Sequence, residues 1–296
     1  MAGLIALGIK EVKRRPVISL GIFWFFITLS VESSIIPIRD ALFEHRLYLP
    51  MFGFSLVVAN ILFSVFSKKR LWVLVVSGII VMVLGTAAFQ RNKVWKDSIT
   101  LWSDVIAKNP DNWRGRTNLG LAMHNEGWVE LAIEQYLKAL HLNPNYPFAH
   151  HNIGNALQDL GHIDRAIEHY KEALRINPEY AYAHHNLGFA LEKQGRLDEA
   201  IEHYQSALRI TPDYEDAHYN LGNALLKQGH IDQAIEHYRE VLRLVPYHVD
   251  AHNNLAVALF GKGDKRGAID HFREALRINP DYPGARHNLD LLLKTQ

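Results

Sequence analysis

Residues 183–216 read AHHNLGFALEKQGRLDEAIEHYQSALRITPDYED, and residues 217–250 repeat the pattern as AHYNLGNALLKQGHIDQAIEHYREVLRLVPYHVD. The two segments are offset by 34 residues, and the same period extends over residues 113–282, which therefore hold five units. A fixed period of this length indicates small structural units that stack on one another. More than half of the 296-residue chain is thus predicted to be a repeat array.

The recurring residues predict two antiparallel helices, A and B, in each unit. A glycine between the helices suits a left-handed helix end, which needs a residue without a Cβ atom, and a proline ends helix B. Small residues of helix A and aromatic residues of helix B let the helices pack closely. The recurring sets are Gly120, Gly154, Gly188, Gly222 and Ala256; Tyr136, Tyr170, Tyr204, Tyr238 and Phe272; Gly127, Gly161, Gly195, Gly229 and Gly263; and Pro144, Pro178, Pro212, Pro246 and Pro280.

These residues at this spacing resemble the tetratricopeptide repeat (TPR) family, and the resemblance implies an all-α fold in which helix pairs form an α-solenoid. No unit can bury its apolar face alone, so the ends of the array need caps. We predict a connecting helix in residues 91–112, five repeats in residues 113–282 and a C-terminal capping helix in residues 283–296.

Residues 1–90 differ from the array because they contain long uncharged stretches. A membrane-spanning helix needs about 20 mostly apolar residues, and we predict three transmembrane helices at residues 17–38, 51–67 and 71–89. Basic residues favour the cytoplasmic side of a membrane. We therefore predict an integral membrane protein that contacts the lipid bilayer and holds its array outside the cytoplasm, in the periplasm or a lumen. The basic residues that set this orientation are Lys10, Lys13, Arg14, Arg15, Lys68, Lys69 and Arg70.

The composition excludes several classes of function. Lys and Arg number 32 and Asp and Glu number 31, a net charge of +1, which gives no reason to expect a nucleic-acid partner. The chain has no cysteine, so it has no disulfide, no thiol nucleophile and no Cys-ligated zinc. No H-E-x-x-H, P-loop, G-x-G-x-x-G or G-x-S-x-G motif occurs, and we predict neither a catalytic residue nor a cofactor in this chain.

The 17 histidines raise the question of a metal site. Most of them recur at repeat offsets, and adjacent pairs such as His150 and His151 point to different helix faces, which makes them poor chelators. We therefore predict aromatic packing and solvated helix faces for these residues, and no metal site. The two largest sets are His150, His184, His218 and His252, and His169, His203, His237 and His271.

An asparagine recurs at one offset in every A helix, on a face expected to line the concave side of the stack. An amide has two donors and an acceptor, so an Asn row can bind the backbone of an extended peptide. The row resembles the asparagine ladder in the repeat domain of O-GlcNAc transferases. In the alternative interpretation, these amides bond between neighbouring A helices. The row consists of Asn118, Asn152, Asn186, Asn220, Asn254 and Asn288.

Aromatic, amide and cationic residues are predicted to lie beside this row. Such a mixture suits a peptide or loop better than a small metabolite. The alternative is a solvated face without a dedicated ligand. The predicted residues are Phe148, His151, Asn155, Tyr182, His185, Phe189, Lys193, Tyr219, Asn223 and Lys227.

The predicted outer loop after the first span holds a second candidate site. The runs ESSIIP from residue 32 and FEHRLYLP from residue 43 resemble the last luminal loop of the transmembrane-and-TPR family, membrane glycosyltransferases of the protein O-mannosyltransferase kind. The resemblance implies that Glu44, His45 and Arg46 approach a polyprenyl-phosphate sugar. Glu32 is a candidate because intramembrane carboxylates are often functional; its alternative role is interfacial.

Family members have many more spans upstream, with catalytic acids in an early outer loop, and this sequence has no such region. We therefore expect a membrane-anchored scaffold that binds an extended protein segment in its groove, without a chemical step. The alternative is the C-terminal part of a membrane O-glycosyltransferase whose array recruits the protein acceptor. A third possibility, an assembly factor on the cytoplasmic side, requires inverted topology.

Overall fold

The structure is a computed structural model that describes residues 97–294, all of whose regular elements are α-helices. Helices of type B and type A alternate along the chain, beginning with type B. The B helices are α1 (Ser98–Lys108), α3 (Val129–Leu142), α5 (Ile163–Ile176), α7 (Leu197–Ile210), α9 (Ile231–Leu244) and α11 (Lys265–Ile278). The A helices are α2 (Trp113–Asn125), α4 (Pro147–Asp159), α6 (Ala181–Lys193), α8 (Glu215–Lys227), α10 (Val249–Gly261) and α12 (Pro283–Lys294).

The chain divides into two compact units, residues 1–115 and residues 116–296. In the described part of the first unit, Asp97 caps α1 by accepting a hydrogen bond from the backbone nitrogen of Thr100 at 2.8 Å. The side chain of Asn112 accepts a hydrogen bond from the backbone nitrogen of Gly115 at 2.8 Å. Both are N-terminal capping interactions, which satisfy backbone donors that a helix leaves without an intrahelical partner.

In the second unit, a glycine makes the turn from each A helix to its B helix. Gly161 has φ +78° and Gly195 has φ +78°, in the left-handed region that side chains with a Cβ atom rarely adopt. Each B helix from α5 to α11 packs against the A helix before it and the A helix after it. This alternating contact joins the repeats between α4 and α12 into one continuous stack.

The core of the stack is built from alanine, leucine and one large aromatic ring per unit. The ring of Tyr204 lies over Gly188, where a Cβ atom would come within 2.9 Å of the ring carbons. The small residue of the A helix therefore makes room for the aromatic residue of the B helix. The fully buried rings are Tyr136, Tyr170, Tyr204, Tyr238 and Phe272.

The predicted all-α repeat array is confirmed over the described residues. The helix α12 occupies the predicted cap, and α1 lies within the predicted connecting segment. No helix between Ser98 and Lys294 is both long and apolar enough to cross a membrane. The three predicted spans, residues 17–38, 51–67 and 71–89, lie outside the described residues.

Candidate binding surface on the A helices

The A helices form the more closely spaced side of the stack. Between Pro147 and Lys294, each A helix contacts the next A helix, whereas no two B helices of that segment contact each other. In a stack of helix pairs, the side with the closer spacing is the inner side. Four members of the predicted Asn row, Asn152, Asn186, Asn220 and Asn254, and the residues predicted beside the row belong to α4, α6, α8 and α10. The candidate site is therefore the A-helix surface of residues 147–261.

The amides of the Asn row connect neighbouring A helices. In Asn186, Nδ2 donates to His151 Nε2 at 2.9 Å and to Asn155 Oδ1 at 2.8 Å, both on the preceding A helix. Its Oδ1 lies 3.0 Å from Nδ1 of His185. Both amide hydrogens and the amide oxygen of Asn186 therefore have partners within the array.

Two further amides of the row repeat this arrangement. Nδ2 of Asn220 bonds His185 Nε2 at 2.9 Å. Nδ2 of Asn254 donates to Asn223 Oδ1 at 2.9 Å and to the hydroxyl of Tyr219 at 3.1 Å. The interhelical bonding that was the alternative interpretation is thus present at Asn186, Asn220 and Asn254.

The other three members of the row are half-buried. Asn118 and Asn152 lie on α2 and α4. Asn288 lies on α12, where it lines a cavity of about 170 Å³ together with Val257 and Phe260. Contact between the six asparagines and a peptide stays a prediction.

His151 and His185 are buried beneath the surface, with exposed fractions of 8% and 9%. Because Nε2 of each accepts a hydrogen bond from an asparagine amide, Nδ1 must carry the proton. Tyr180 places its hydroxyl 3.3 Å from Nδ1 of His151, and Tyr214 places its own 3.2 Å from Nδ1 of His185. Burial lowers the pKa of His151 to about 4 and also lowers the pKa of His185, so both are neutral near pH 7.

A band of aromatic rings crosses the surface from α4 to α8. Phe148 and Tyr182 are exposed, with fractions of 48% and 59%. The ring of Tyr180 lies between them, with centroids 5.0 Å from Phe148 and 6.2 Å from Tyr182. Tyr214 continues the band, 5.2 Å from Tyr182. Two exposed rings are thus held by neighbours whose own hydroxyls are fixed to buried histidines.

The remaining predicted residues lie along the same helices. Lys193 places its ammonium 5.0 Å from the ring centroid of Phe189. Lys227 forms an ion pair with Glu192 at 2.6 Å. Tyr219 stacks on His248 with a centroid distance of 5.0 Å. The surface therefore combines aromatic, cationic and amide groups within neighbouring turns.

Asn155 and Asn223 have a structural role that the sequence analysis missed. The oxygen of Asn155 accepts a hydrogen bond from the buried hydroxyl of Tyr170 at 2.8 Å, and that of Asn223 accepts one from Tyr238 at 2.7 Å. The sequence analysis also missed the supporting rings Tyr180 and Tyr214. Their shared 34-residue offset, just before each A helix, is the signal that could have identified them.

No group of three or more His, Cys, Asp or Glu residues within 97–294 has the arrangement of a metal site. The predicted membrane-loop residues Glu32, Glu44, His45 and Arg46 lie outside the described residues. On the A-helix surface, the arrangement offers contact area and hydrogen bonding, and we assign no nucleophile or general base there.

The chain matches two descriptions of one repeat family. The family described as "TPR repeat" matches residues 126–161, 159–195 and 193–229, and "Tetratricopeptide repeat" matches residues 219–283. Together these matches span more than half of the chain. The chain therefore belongs to the tetratricopeptide repeat proteins.

Curated relatives include protein O-mannosyl-transferases. Human protein O-mannosyl-transferase TMTC3 is 30% identical over 119 residues, which are 38% of this chain and 13% of that protein. Protein O-mannosyl-transferase F38B6.6 of Caenorhabditis elegans is 31% identical over 103 residues, which are 35% of this chain and 15% of that protein. The match thus spans only a small part of the length of these relatives.

Solved structures with the same architecture are also repeat proteins. MamA is 29% identical with a TM-score of 0.52, and the match covers 55% of this chain and 95% of MamA. YrrB, described as a TPR protein with an unusual peptide-binding site, is 24% identical with a TM-score of 0.55, over 63% of this chain and 96% of YrrB. The similarity to YrrB shows the fold alone.

Proposed function

We propose that this chain is a membrane-anchored scaffold that binds an extended protein segment across its A-helix surface. The observation that carries the proposal is the pair of exposed rings, Phe148 and Tyr182, which both pack against the buried ring of Tyr180. Large rigid aromatic side chains lose little conformational freedom on binding, and such residues dominate the energetics of protein interfaces.

The interhelical hydrogen bonds assign different roles to the rings and to the Asn row. Because the amide of Asn186 already has partners for both hydrogens and its oxygen, it has little left to offer a peptide backbone. We propose that the row mainly fixes the spacing of neighbouring A helices. The rings on α4 and α6 then meet a ligand at a fixed separation, which is the pre-organisation that favours binding.

The binding proposal can be tested with peptides selected from a random display library against the full chain. We expect Phe148→Ala and Tyr182→Ala each to lower the affinity for the selected peptides by roughly tenfold or more. Truncation of an anchoring aromatic residue commonly costs about 2 kcal/mol or more of binding free energy. The measurement is fluorescence anisotropy of the labelled peptide.

The matched control is Leu137→Ala, which removes a side chain of similar exposure, 51%, from a B helix. It should leave the peptide affinity unchanged. Selected peptides that bind the Phe148 and Tyr182 variants as tightly as the unaltered chain would contradict the proposal. A combined change of Asn152, Asn186 and Asn220 to Ala should lower the melting temperature, because it removes interhelical bonds.

The membrane anchor and the outer location of the array are supported by the uncharged stretches of residues 1–90 and by their basic flanks. Protease treatment of sealed vesicles that carry the full chain tests both. We expect the array to be cleaved only from the face opposite the cytoplasm. Cleavage from the cytoplasmic face, or release of the chain without detergent, would contradict this part of the proposal.

A second candidate function is recruitment of a protein acceptor for a membrane O-glycosyltransferase. The observation that favours it is the similarity to two proteins named as protein O-mannosyl-transferases. A polyprenyl-phosphate sugar would then be the donor, and a part of the enzyme outside this sequence would transfer the sugar. An in-frame hydrophobic region upstream of the Met1 codon, with an early pair of acidic residues, would favour this function.

A further inference from the structure

Four histidine pairs recur along the array, each formed by one residue of an A helix and one of the following B helix. Their Nδ1 atoms are 3.2 Å apart in the first pair and 3.0 Å apart in the other three. The two members are 19 residues apart in sequence, and successive pairs are 34 residues apart. The pairs are His150–His169, His184–His203, His218–His237 and His252–His271.

The hydrogen bonds of the A-helix member fix its tautomer. Nε2 of His184 lies 3.0 Å from the carbonyl oxygen of Pro178, and Nε2 of His218 lies 2.9 Å from that of Pro212. A carbonyl can only accept, so Nε2 carries the hydrogen and Nδ1 holds a lone pair. His252 makes the same bond to Pro246 at 3.1 Å. A histidine ligand of a metal typically donates its other ring hydrogen to such a carbonyl.

The separation of the two Nδ1 atoms suits two ligands of one metal ion. With metal–nitrogen bonds of about 2.0–2.1 Å, two nitrogens 3.0 Å apart subtend an angle of roughly 95° at the metal. That angle matches adjacent positions of a square-planar or octahedral ion, and a regular tetrahedral ion would need a wider separation. Imidazole ligands in square-planar geometry favour Cu²⁺ and Ni²⁺.

Both members are half-buried in three of the four pairs, and His252 of the fourth pair is buried. His218 and His237 line a surface cavity of about 630 Å³ that is also lined by Glu202 and Arg209. All four B-helix members are half-buried and not enclosed. An ion can therefore reach the pair, and water can complete its coordination.

We propose that each of the four pairs is a binding site for a divalent copper or nickel ion, held by the two Nδ1 atoms and by water. On binding, the B-helix histidine transfers its ring hydrogen from Nδ1 to Nε2 through solvent, so both Nδ1 lone pairs face the ion and no proton is released overall. The A-helix histidine keeps its bond to the proline carbonyl. This proposal is independent of peptide binding, because the pairs use none of the exposed rings.

Each pair has a glutamate near its B-helix histidine. Glu172, Glu240 and Glu274 lie three residues after His169, His237 and His271, and each is paired with an arginine. The glutamate near His203 is Glu199, four residues earlier, which is paired with Arg196. A nearby carboxylate can attract the cation or orient its water.

The test is calorimetric titration of the purified full chain with Cu²⁺ and, separately, with Ni²⁺. We expect about four saturable sites, and His237→Gln should remove one of them. His230→Gln is the matched control, because His230 is exposed at the start of the same helix and belongs to no pair. It should leave all four sites in place.

Electron paramagnetic resonance of copper on the unaltered chain provides a second measurement that does not depend on a variant's folding. We expect two coordinated imidazole nitrogens for each bound Cu²⁺. A titration without saturable binding, an unchanged stoichiometry in His237→Gln, or a spectrum with one nitrogen per ion would overturn the proposal. Zn²⁺ binding as tight as that of Cu²⁺ would overturn the assigned geometry.

Discussion

The fourth and fifth repeats solve the same packing problem with different residues. In the fourth repeat, Tyr238 packs over Gly222, and its hydroxyl bonds Asn223 at 2.7 Å. In the fifth repeat, the corresponding residues are Phe272, Ala256 and Val257, and the ring is equally buried. A tyrosine lies over a glycine in each of the first four repeats, whereas the fifth repeat combines a phenylalanine with an alanine. The aromatic residue and the small residue beneath it therefore change together.

The first repeat has the tyrosine without the matching acceptor. Tyr136 is buried over Gly120, but the residue next to that glycine is Leu121. Its hydroxyl is buried without a hydrogen-bond partner among the described residues, and burial raises its pKa. The first repeat thus combines a glycine beneath the ring, as in the fourth repeat, with an apolar residue beside that glycine, as in the fifth. This combination is unfavourable, because it leaves a buried hydroxyl without a partner.

The largest expected effect comes from giving the fourth repeat the small residue of the fifth. A Cβ atom on Gly222 would lie 2.8 Å from Cε1 of Tyr238. We expect Gly222→Ala to lower the free energy of unfolding by roughly 1–3 kcal/mol, because overpacking outweighs the better helix propensity of alanine. Urea denaturation followed by circular dichroism measures the change.

The reverse change in the fifth repeat, Ala256→Gly, is the control. It should cost about 1–2 kcal/mol, through lower helix propensity and the loss of one buried methyl group. Adding Tyr238→Phe to Gly222→Ala should recover part of the loss, because a ring without its hydroxyl bond can shift. If the double variant is as unstable as the sum of the two single variants, the ring is not held by its hydroxyl.

A smaller effect is expected when the fourth repeat is made to resemble the first. Asn223→Leu removes the acceptor for the hydroxyl of Tyr238 and for the amide of Asn254. We expect a loss of about 1–2 kcal/mol in the free energy of unfolding, since both groups stay half-buried or buried without this partner. A stability equal to that of the unaltered chain would mean that water replaces the asparagine.

The smallest effect concerns the first repeat itself. Tyr136→Phe removes a hydroxyl that has no partner, so the free energy of unfolding should stay the same or rise by up to about 1 kcal/mol. Tyr238→Phe should instead lower it by about 1 kcal/mol. Thermal melting of the two variants side by side makes the comparison, and equal losses would contradict it.

The helices and their order followed from the sequence because a 34-residue period constrains every unit in the same way. The turn at Gly161 and the close approach at Gly188 are local consequences of residue size, which the sequence displays directly. Contacts between helices are different, because they depend on how units pack. His184 and His203 were both identified as repeat positions, but their meeting across 19 residues depends on the angle between two helices.

The binding surface shows the same division. The A helices that carry it could be predicted, as could the exposure of Phe148 and Tyr182. The buried position of His151 and His185 could not be predicted. The repeat position of a histidine is equally compatible with an exposed side chain and with one that is hydrogen-bonded beneath a neighbouring residue. The Asn row was found from its spacing, but its hydrogen-bond partners emerged only when neighbouring units were stacked.

The interhelical bonds of Asn186, Asn220 and Asn254 join consecutive repeats, through partners 31 or 35 residues apart in sequence. If the unit from Ala181 to Tyr214 were deleted, Asn220 would meet His151 and Asn155, the same two residues that now bond Asn186. The interface between neighbouring repeats is therefore interchangeable. A gene that encodes such an array can gain or lose whole repeats in evolution without new residues at the interfaces, so selection can act on the length of the binding surface.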